Sequence, residues 1–374
     1  MGLVLRPHGF NWELLATADL HFGNSHGAGT INRVGINSFL VVRERVFKEM
    51  IERASREGCP IVVAGDLFDS AVLDPVTMQS FHRCLQHAVN LEVQMLVLGG
   101  NHEFNGLHSL MGSYSQLNLS GIRFVYRAEV VKIKRMKFYC VPYAGKTVEQ
   151  EYKMVLRFIN KAKQDGYSGV KILLLHYPII GCKYDSGSIV HTGFNLKALL
   201  DEAGNPFDMI LAGDFHDRQR LSGVSNFLYL GQPYWSDFAS VGKRRGYTLF
   251  NFSTNRRQLV IPGDCPRFVV LNNISKVSDI SGDLGNTIVK ASIDRNLSAR
   301  KVYERCYELG ALKVMIRREP KASNERDSKV VYRHNVDKRD AIARFAKDNK
   351  PKGIGLKRLI KTATNVLKEV GEGK

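Results

Sequence analysis

Five short apolar runs in this chain each stop on a potential metal ligand. ELLATAD (13–19) is followed by Leu20 and His21, and PIVVAGD (60–66) by Leu67, Phe68 and Asp69. VQMLVLGGN (93–101) leads into His102 and Glu103, VKILLLH (170–176) ends on His176, and MILAGD (209–214) runs into Phe215 and His216. Near-continuous apolar runs of this length predict strands covered on both faces. Helix-periodic stretches at about 38–57, 75–89, 107–117, 149–165 and 195–203 lie between these runs and a sixth, KFYCVPY (137–143). Such alternation predicts a layered α/β domain. In open sheets of that kind ligands bind beyond the carboxyl ends of the strands, so the fold would deliver all five polar ends to one rim.

Each piece alone says little. A Gly-Asp after a strand is often only a turn, and a lone histidine on an apolar strand is more often a core residue. Together, in order, they read as a metal site. The donors are Asp19, Asp66, Asp214, Asn101, His21, His176 and His216, with no thiolate among them. That mixture suits Mn²⁺, Mg²⁺ or Fe²⁺ better than structural zinc. Seven donors exceed the needs of one ion and fit two ions sharing a carboxylate, an arrangement that polarises phosphoryl groups and supplies hydroxide at neutral pH. Asp69 and Glu103 remain open between ligands, partners that orient ligands, and helix N-caps.

DLH, GDLFD, GNHE, a lone His and GDxH, in that order over roughly residues 13–217, resemble the calcineurin-like metallophosphoesterase superfamily. GDLFDS and the segment YLGQPYWSDFASVGKRRGYTLF further resemble SbcD-type nuclease subunits of recombination and repair complexes, the T-even phage members above all. The resemblance implies a layered sandwich of two mixed sheets flanked by helices, with a small α+β capping domain and C-terminal helices. It implies Asp19, His21 and His216 on one metal, Asp66 bridging, and Asn101, His176 and Asp214 on the second. His102 would be no ligand; it would sit over the scissile phosphate and give a proton to the leaving oxygen. The implied cofactors are two divalent ions, Mn²⁺ before Mg²⁺, and the implied reaction is exo- and endonucleolytic hydrolysis of DNA. The implied partners are DNA and an SMC-like ABC ATPase of SbcC type. A homodimer, formed through helices near 71–90 and 107–119, would complete a heterotetramer with that ATPase. One position departs from the pattern: the family usually reads GHxH where this chain has Asp214. A carboxylate there keeps a competent ligand but makes the site one charge more negative, so the expectation is an active site with altered metal preference.

Charge supports a polyanionic partner. The chain carries 54 Lys and Arg against 36 Asp and Glu, a net charge of +18. Residues 313–374 alone hold 18 basic and 8 acidic side chains. The strand and helix pattern divides the chain into residues 1–262, 263–320, a linker (321–336) and a helical tail (337–374), which the resemblance implies to be a metallophosphoesterase domain, a capping or DNA-binding domain and an ATPase-docking segment around that linker. Arg295, Arg300, Lys301, Arg305, Arg317 and Arg318 are the candidate phosphate contacts of the capping domain. In the tail, Leu356, Leu359, Ile360, Ala363, Val366, Leu367 and Val370 follow helical spacing and predict a docking stripe. No GxxxxGK[ST] occurs, so ATP hydrolysis would belong to a partner. Six scattered cysteines without a CxxC pair predict free thiols in a reducing compartment, and the chain reads as cytoplasmic, in the host cell if phage-encoded. No apolar stretch is long enough to span a membrane and no signal peptide is evident, so no membrane partner is expected. Two competing readings stand beside the nuclease: a stand-alone metallophosphodiesterase acting on small phosphoesters, and a DNA-tethering scaffold whose site is degenerate.

Overall fold

The computed structural model describes residues 12–24, 29–263 and 265–318, with Thr362 alone beyond them. The first half runs β1 (Leu14–Thr17), α1 (Ser38–Glu57), β2 (Ile61–Val63), α2 (Pro75–Asn90), β3 (Met95–Leu98), α3 (Leu110–Ser115) and β4 (Ile122–Val125). It continues through β5 (Glu129–Ile133), β6 (Met136–Val141), α4 (Val148–Gln164), β7 (Val170–His176), α5 (Leu196–Ala203) and β8 (Met209–Gly213). Hairpin-connected strands follow: β9 (Gln219–Leu221), β10 (Val224–Tyr229), β11 (Tyr247–Asn251) and β12 (Arg256–Val260).

These strands form two mixed sheets of six, ordered β12-β11-β1-β2-β3-β4 and β5-β6-β7-β8-β10-β9. β1 to β4 are parallel, as are β6, β7, β8 and β10; the antiparallel pairs lie toward the sheet edges. Alternate residues divide between two cores, as the two-residue period of a strand requires. Leu14, Ala16, Val62 and Leu96 meet Phe138, Ile172, Leu174 and Leu211 between the sheets. Leu15, Ile61, Val63 and Val97 face the other way, onto Phe47, Met50 and Phe81 of α1 and α2. Tyr139, Leu173, Leu175 and Ile210 likewise pack on Val155, Phe158 and Leu199 of α4 and α5. The helices begin where chemistry dictates. Asn37 caps α1, Asp74 caps α2 ahead of Pro75, and Thr147 with Gln150 forms a capping box on α4.

Three strands escape a reading based on apolar runs, among them β9, only three residues long. β4 is four residues long, and β5 (EVVKI) is mostly half-buried at a sheet edge, so neither presents a long apolar stretch. Of the apolar side chains on α2 and α3, Phe81, Leu85 and Met111 are core residues, whereas Met78 is 39% exposed.

A third, all-parallel sheet is built from β13 (Arg267–Ile274), β14 (Thr287–Ile293) and β15 (Lys313–Arg318), with α6 (Ala299–Glu308) connecting the last two. It has its own core of Ile280, Val289, Ala291, Ile293, Val302 and Cys306. Phe39 of α1 joins it to the larger sheets through Phe268 and Ile288. The described chain packs as one unit up to Arg318. The expected linker (321–336) and ATPase-docking helices (337–374) lie outside the described residues. All six cysteines are buried free thiols. Among the described residues no helix is long and apolar enough to cross a membrane.

Candidate metal centre

The carboxyl ends of β1, β2, β3, β7 and β8 meet at one rim. The exits of β1, β2 and β8 turn sharply there. Asp19, His21, Asp66 and Asp214 have φ of 55°, 44°, 49° and 104°, in the left-handed region that side chains rarely adopt. Neighbouring main chain holds these turns: Asp19 N–H donates to Gly65 O (3.1 Å) and His21 N–H to Asp66 O (2.9 Å). Asp214 N–H donates to Asp19 Oδ1 at 3.0 Å. Gly65 is required by proximity, because a Cβ there would lie 2.0 Å from His176 Nδ1. At Gly100 a Cβ would lie 2.1 Å from Asp66 Oδ1.

Asp66 sits at the centre. Ligand atoms of Asp19, Asp66 and His176 all lie within 4.8 Å of one another, and so do those of His21, Asp66 and His102. His176 Nε2 is 3.3 Å from Asp66 Oδ1, while His21 Nε2 and His102 Nε2 are each 3.8 Å from Oδ2. His216 joins through His21, their Nε2 atoms facing each other at 3.1 Å. Asn101 places its amide 2.9 Å from His176 Nε2 and 3.2 Å from both Asp66 oxygens. Asp214 Oδ1 lies 4.0 Å from His176 Nε2.

Surrounding groups fix which atoms face inward. His176 Nδ1–H donates to Ala64 O at 2.8 Å, which turns Nε2 toward Asp66. His216 Nδ1 is held at 3.0 Å by Asp185 Oδ2, leaving Nε2 toward His21. His102 Nδ1–H donates to Asp69 O at 3.0 Å. With its side chain 42% exposed, His102 faces solvent, whereas His21, Asp66 and His176 are 9% exposed or less. The two open residues find places. Glu103 is fully buried and accepts from Phe68 N–H (2.7 Å) and Gly100 N–H (2.6 Å), clamping two site loops together. Asp69 lies against Gly23 and offers its carbonyl to His102.

This donor set fits divalent cations. Asp19 Oδ2 is buried without a hydrogen-bond partner, and the facing Nε2 atoms of His21 and His216 converge on one point. When the Asn101 oxygen faces inward, it meets only acceptors, an arrangement a cation satisfies. Titration behaviour agrees. Burial raises the Asp19 carboxyl to about 7 and lowers the His21 imidazole to about 3. Burial alone would lower His176, but the carboxylates of Asp66, Asp214 and Asp19 outweigh it and raise the ring well above its usual value. The same pairing overrides burial at Asp66 and holds it below the carboxylate range. Burial raises Asp214 and, with nearby Asp66, pushes Glu103 up to about 8. Negative potential concentrated this way is relieved by metal ions.

Further supports lie outside the five strand ends. Tyr234 donates to Leu20 O, and both Gln232 N–H and the Arg245 guanidinium donate to His216 O. The segment after β10 thus buttresses the site. Of the six expected phosphate contacts, Arg300 pairs with Glu304 and Arg305 with Glu308, both on α6. Arg318 donates to Arg295 O, while Lys301 and Arg317 are exposed.

Residues 13–218 match the profile of the family described as calcineurin-like phosphoesterase. No curated protein sequence matches the chain significantly. Among solved structures, the chain is similar to a dimetal phosphatase from Danio rerio, at 13% identity and a TM-score of 0.37, over 57% of this chain and 85% of that one. It is also similar to TT1561 of Thermus thermophilus, at 10% identity and a TM-score of 0.42, over 67% of this chain and 98% of that one.

Proposed function

For a chain that belongs to the calcineurin-like phosphoesterase family, we propose the role of a DNA nuclease, a metal-dependent phosphodiesterase serving an SMC-like ABC ATPase of SbcC type in double-strand-break processing. The metal-dependent chemistry rests on one observation: the side chains of Asp19, His21 and His176 all bring potential ligand atoms around the buried Asp66 carboxylate. The choice of DNA is supported by the net charge of +18, which favours a phosphate backbone.

In this reading Asp19, His21 and His216 hold one divalent ion, Asn101, His176 and Asp214 the other, and Asp66 stands between them, with Mn²⁺ preferred to Mg²⁺. Two ions so held would polarise the phosphodiester and acidify the attacking water. The chain's own contribution is orientation. Ala64 O and Asp185 keep the Nε2 atoms of His176 and His216 facing inward. Glu103 keeps the loops after β2 and β3 in register. Asp69 O occupies His102 Nδ1, so Nε2 is the atom that hands a proton to the leaving oxygen, on the solvent side of Asp66. The working assembly is a homodimer bound to two ATPase subunits.

The test is turnover of labelled linear DNA and of bis(p-nitrophenyl) phosphate, each with Mn²⁺ or Mg²⁺, by wild type and His102→Asn. Expected is metal-dependent DNA cleavage that falls by about 100-fold or more in the variant. Hydrolysis of the small ester alone would reassign the protein to small phosphoesters. DNA binding without turnover of either substrate would make it a scaffold.

A further inference from the structure

One side of the sandwich carries an arginine cluster that the metal centre does not use. β9 and β12 are terminal strands of the two large sheets. Immediately after His216, an open groove of about 490 Å³ runs along the β9 edge, lined by Asp217, Arg218, Arg220, Lys243 and Arg244. Arg218 reaches across to β11, where its guanidinium donates to Thr248 Oγ1. Arg257, on β12 beside β11, is lowered by burial and by the nearby charge of Arg220, so it stands next to the groove's cations. The acid of the groove is already engaged, since Asp217 pairs with Lys243 at 2.5 Å and Arg245 at 3.0 Å. Among the described residues no carboxylate pairs with Arg218, Arg220, Arg244 or Arg257.

Like charges gathered without acidic partners are stabilised by an anion from outside. A small anion would satisfy one or two guanidiniums. Four, drawn from the residue before β9, β9 itself, β12 and the turn before β11, suit successive phosphates of a chain. We infer that this edge groove, lined by Arg218, Arg220 and Arg244 with Arg257 beside them, seats the phosphodiester backbone of the substrate strand as it leaves the metal centre at His216. The inference rests on the nuclease reading for the identity of its ligand. The groove supplies affinity and direction without reading bases.

The test measures affinity of the full-length protein for a fluorescein-labelled single-stranded DNA, without added metal, across a series of KCl concentrations. Losing a phosphate contact on a single strand reduces the slope of log K against log[KCl] by about 0.7. Arg220→Ala/Arg244→Ala should therefore flatten the slope by about 1.4, twice that single-contact value. Arg220→Lys/Arg244→Lys, which keeps the charge, should retain most of it. A charge-matched control on α4, Arg157→Ala/Lys161→Ala, should leave it unchanged. Equal slopes for wild type and the alanine pair would overturn the inference, as would an equal loss in the control, which would trace binding to overall charge. Self-association of the alanine pair at an unchanged slope would also overturn it and make the arginines guards of an exposed sheet edge. If the slope falls as expected but wild type cleaves no DNA, the groove stands and the nuclease reading fails. If wild type cleaves DNA but the slopes are equal, the nuclease reading stands and the groove fails.

Discussion

Asp214 is the residue at which this site most directly sets its own chemistry. Its backbone, at φ 104°, is the most unusual of the four left-handed site residues, and its N–H is spent on Asp19. Each such conformation costs on the order of 1–3 kcal/mol and persists only where the surroundings enforce it. Here the turn brings the Asp214 carboxylate to the same rim as His176. An imidazole at this position would remove a negative charge and replace a hard oxygen with a softer nitrogen. Asp214→His is therefore expected to raise the ratio of Mn²⁺- to Mg²⁺-supported turnover severalfold. An unchanged ratio would remove Asp214 from the metal environment. The polar strand ends that meet at the rim were legible because five apolar runs stop on Asp19, Asp66, Asn101, His176 and Asp214, with His21 and His216 two positions beyond, where strand chemistry makes a polar residue conspicuous. Asp185 was not legible. It comes from an irregular loop and gains meaning only through His216, which the fold brings beside it.

At the scale of elements, α1 and α2 carry the outer layer over the first sheet, and Glu44 ties them together. Its carboxylate accepts from Ser80 Oγ (2.8 Å) and Arg83 Nε (2.9 Å) on α2 and from Lys48 Nζ (2.8 Å) on its own helix. Partial burial pushes this carboxyl upward, but the bonds from Arg83, Lys48 and Ser80 outweigh it and hold it at about 2. A depressed carboxyl contributes stability above its unfolded value of 4.5 and loses it as pH falls toward 2. Because the group is partly solvated, that contribution is about 1 kcal/mol. Glu44→Gln should lower the melting temperature at pH 7 and converge with wild type as the pH approaches 2. A constant difference across that range would mean the link is not ionic. Element type was readable wherever runs were long. β4 and β5 were not, since edge strands need only one buried face.

Across the whole molecule, two kinds of electrostatics lie side by side. A buried knot of carboxylates and imidazoles gathers at the sheet ends, and an arginine-lined groove leads away from it along the sandwich edge. Their separation follows from the fold. Parallel strands deliver acids and imidazoles to one rim, whereas the hairpins after β8 bring in basic side chains from positions far apart in sequence. Charge totals disclosed the second feature only as an excess, because Arg218, Arg244 and Arg257 become neighbours through strand pairing and packing. All of the proposed chemistry depends on a two-ion site organised by Asp66, and calorimetric titration of the metal-free protein with Mn²⁺ is its sharpest test. Wild type should take up two ions per chain, and Asp66→Asn should weaken the binding of both. A single ion per chain, or Asp66→Asn binding like wild type, would contradict the two-ion site.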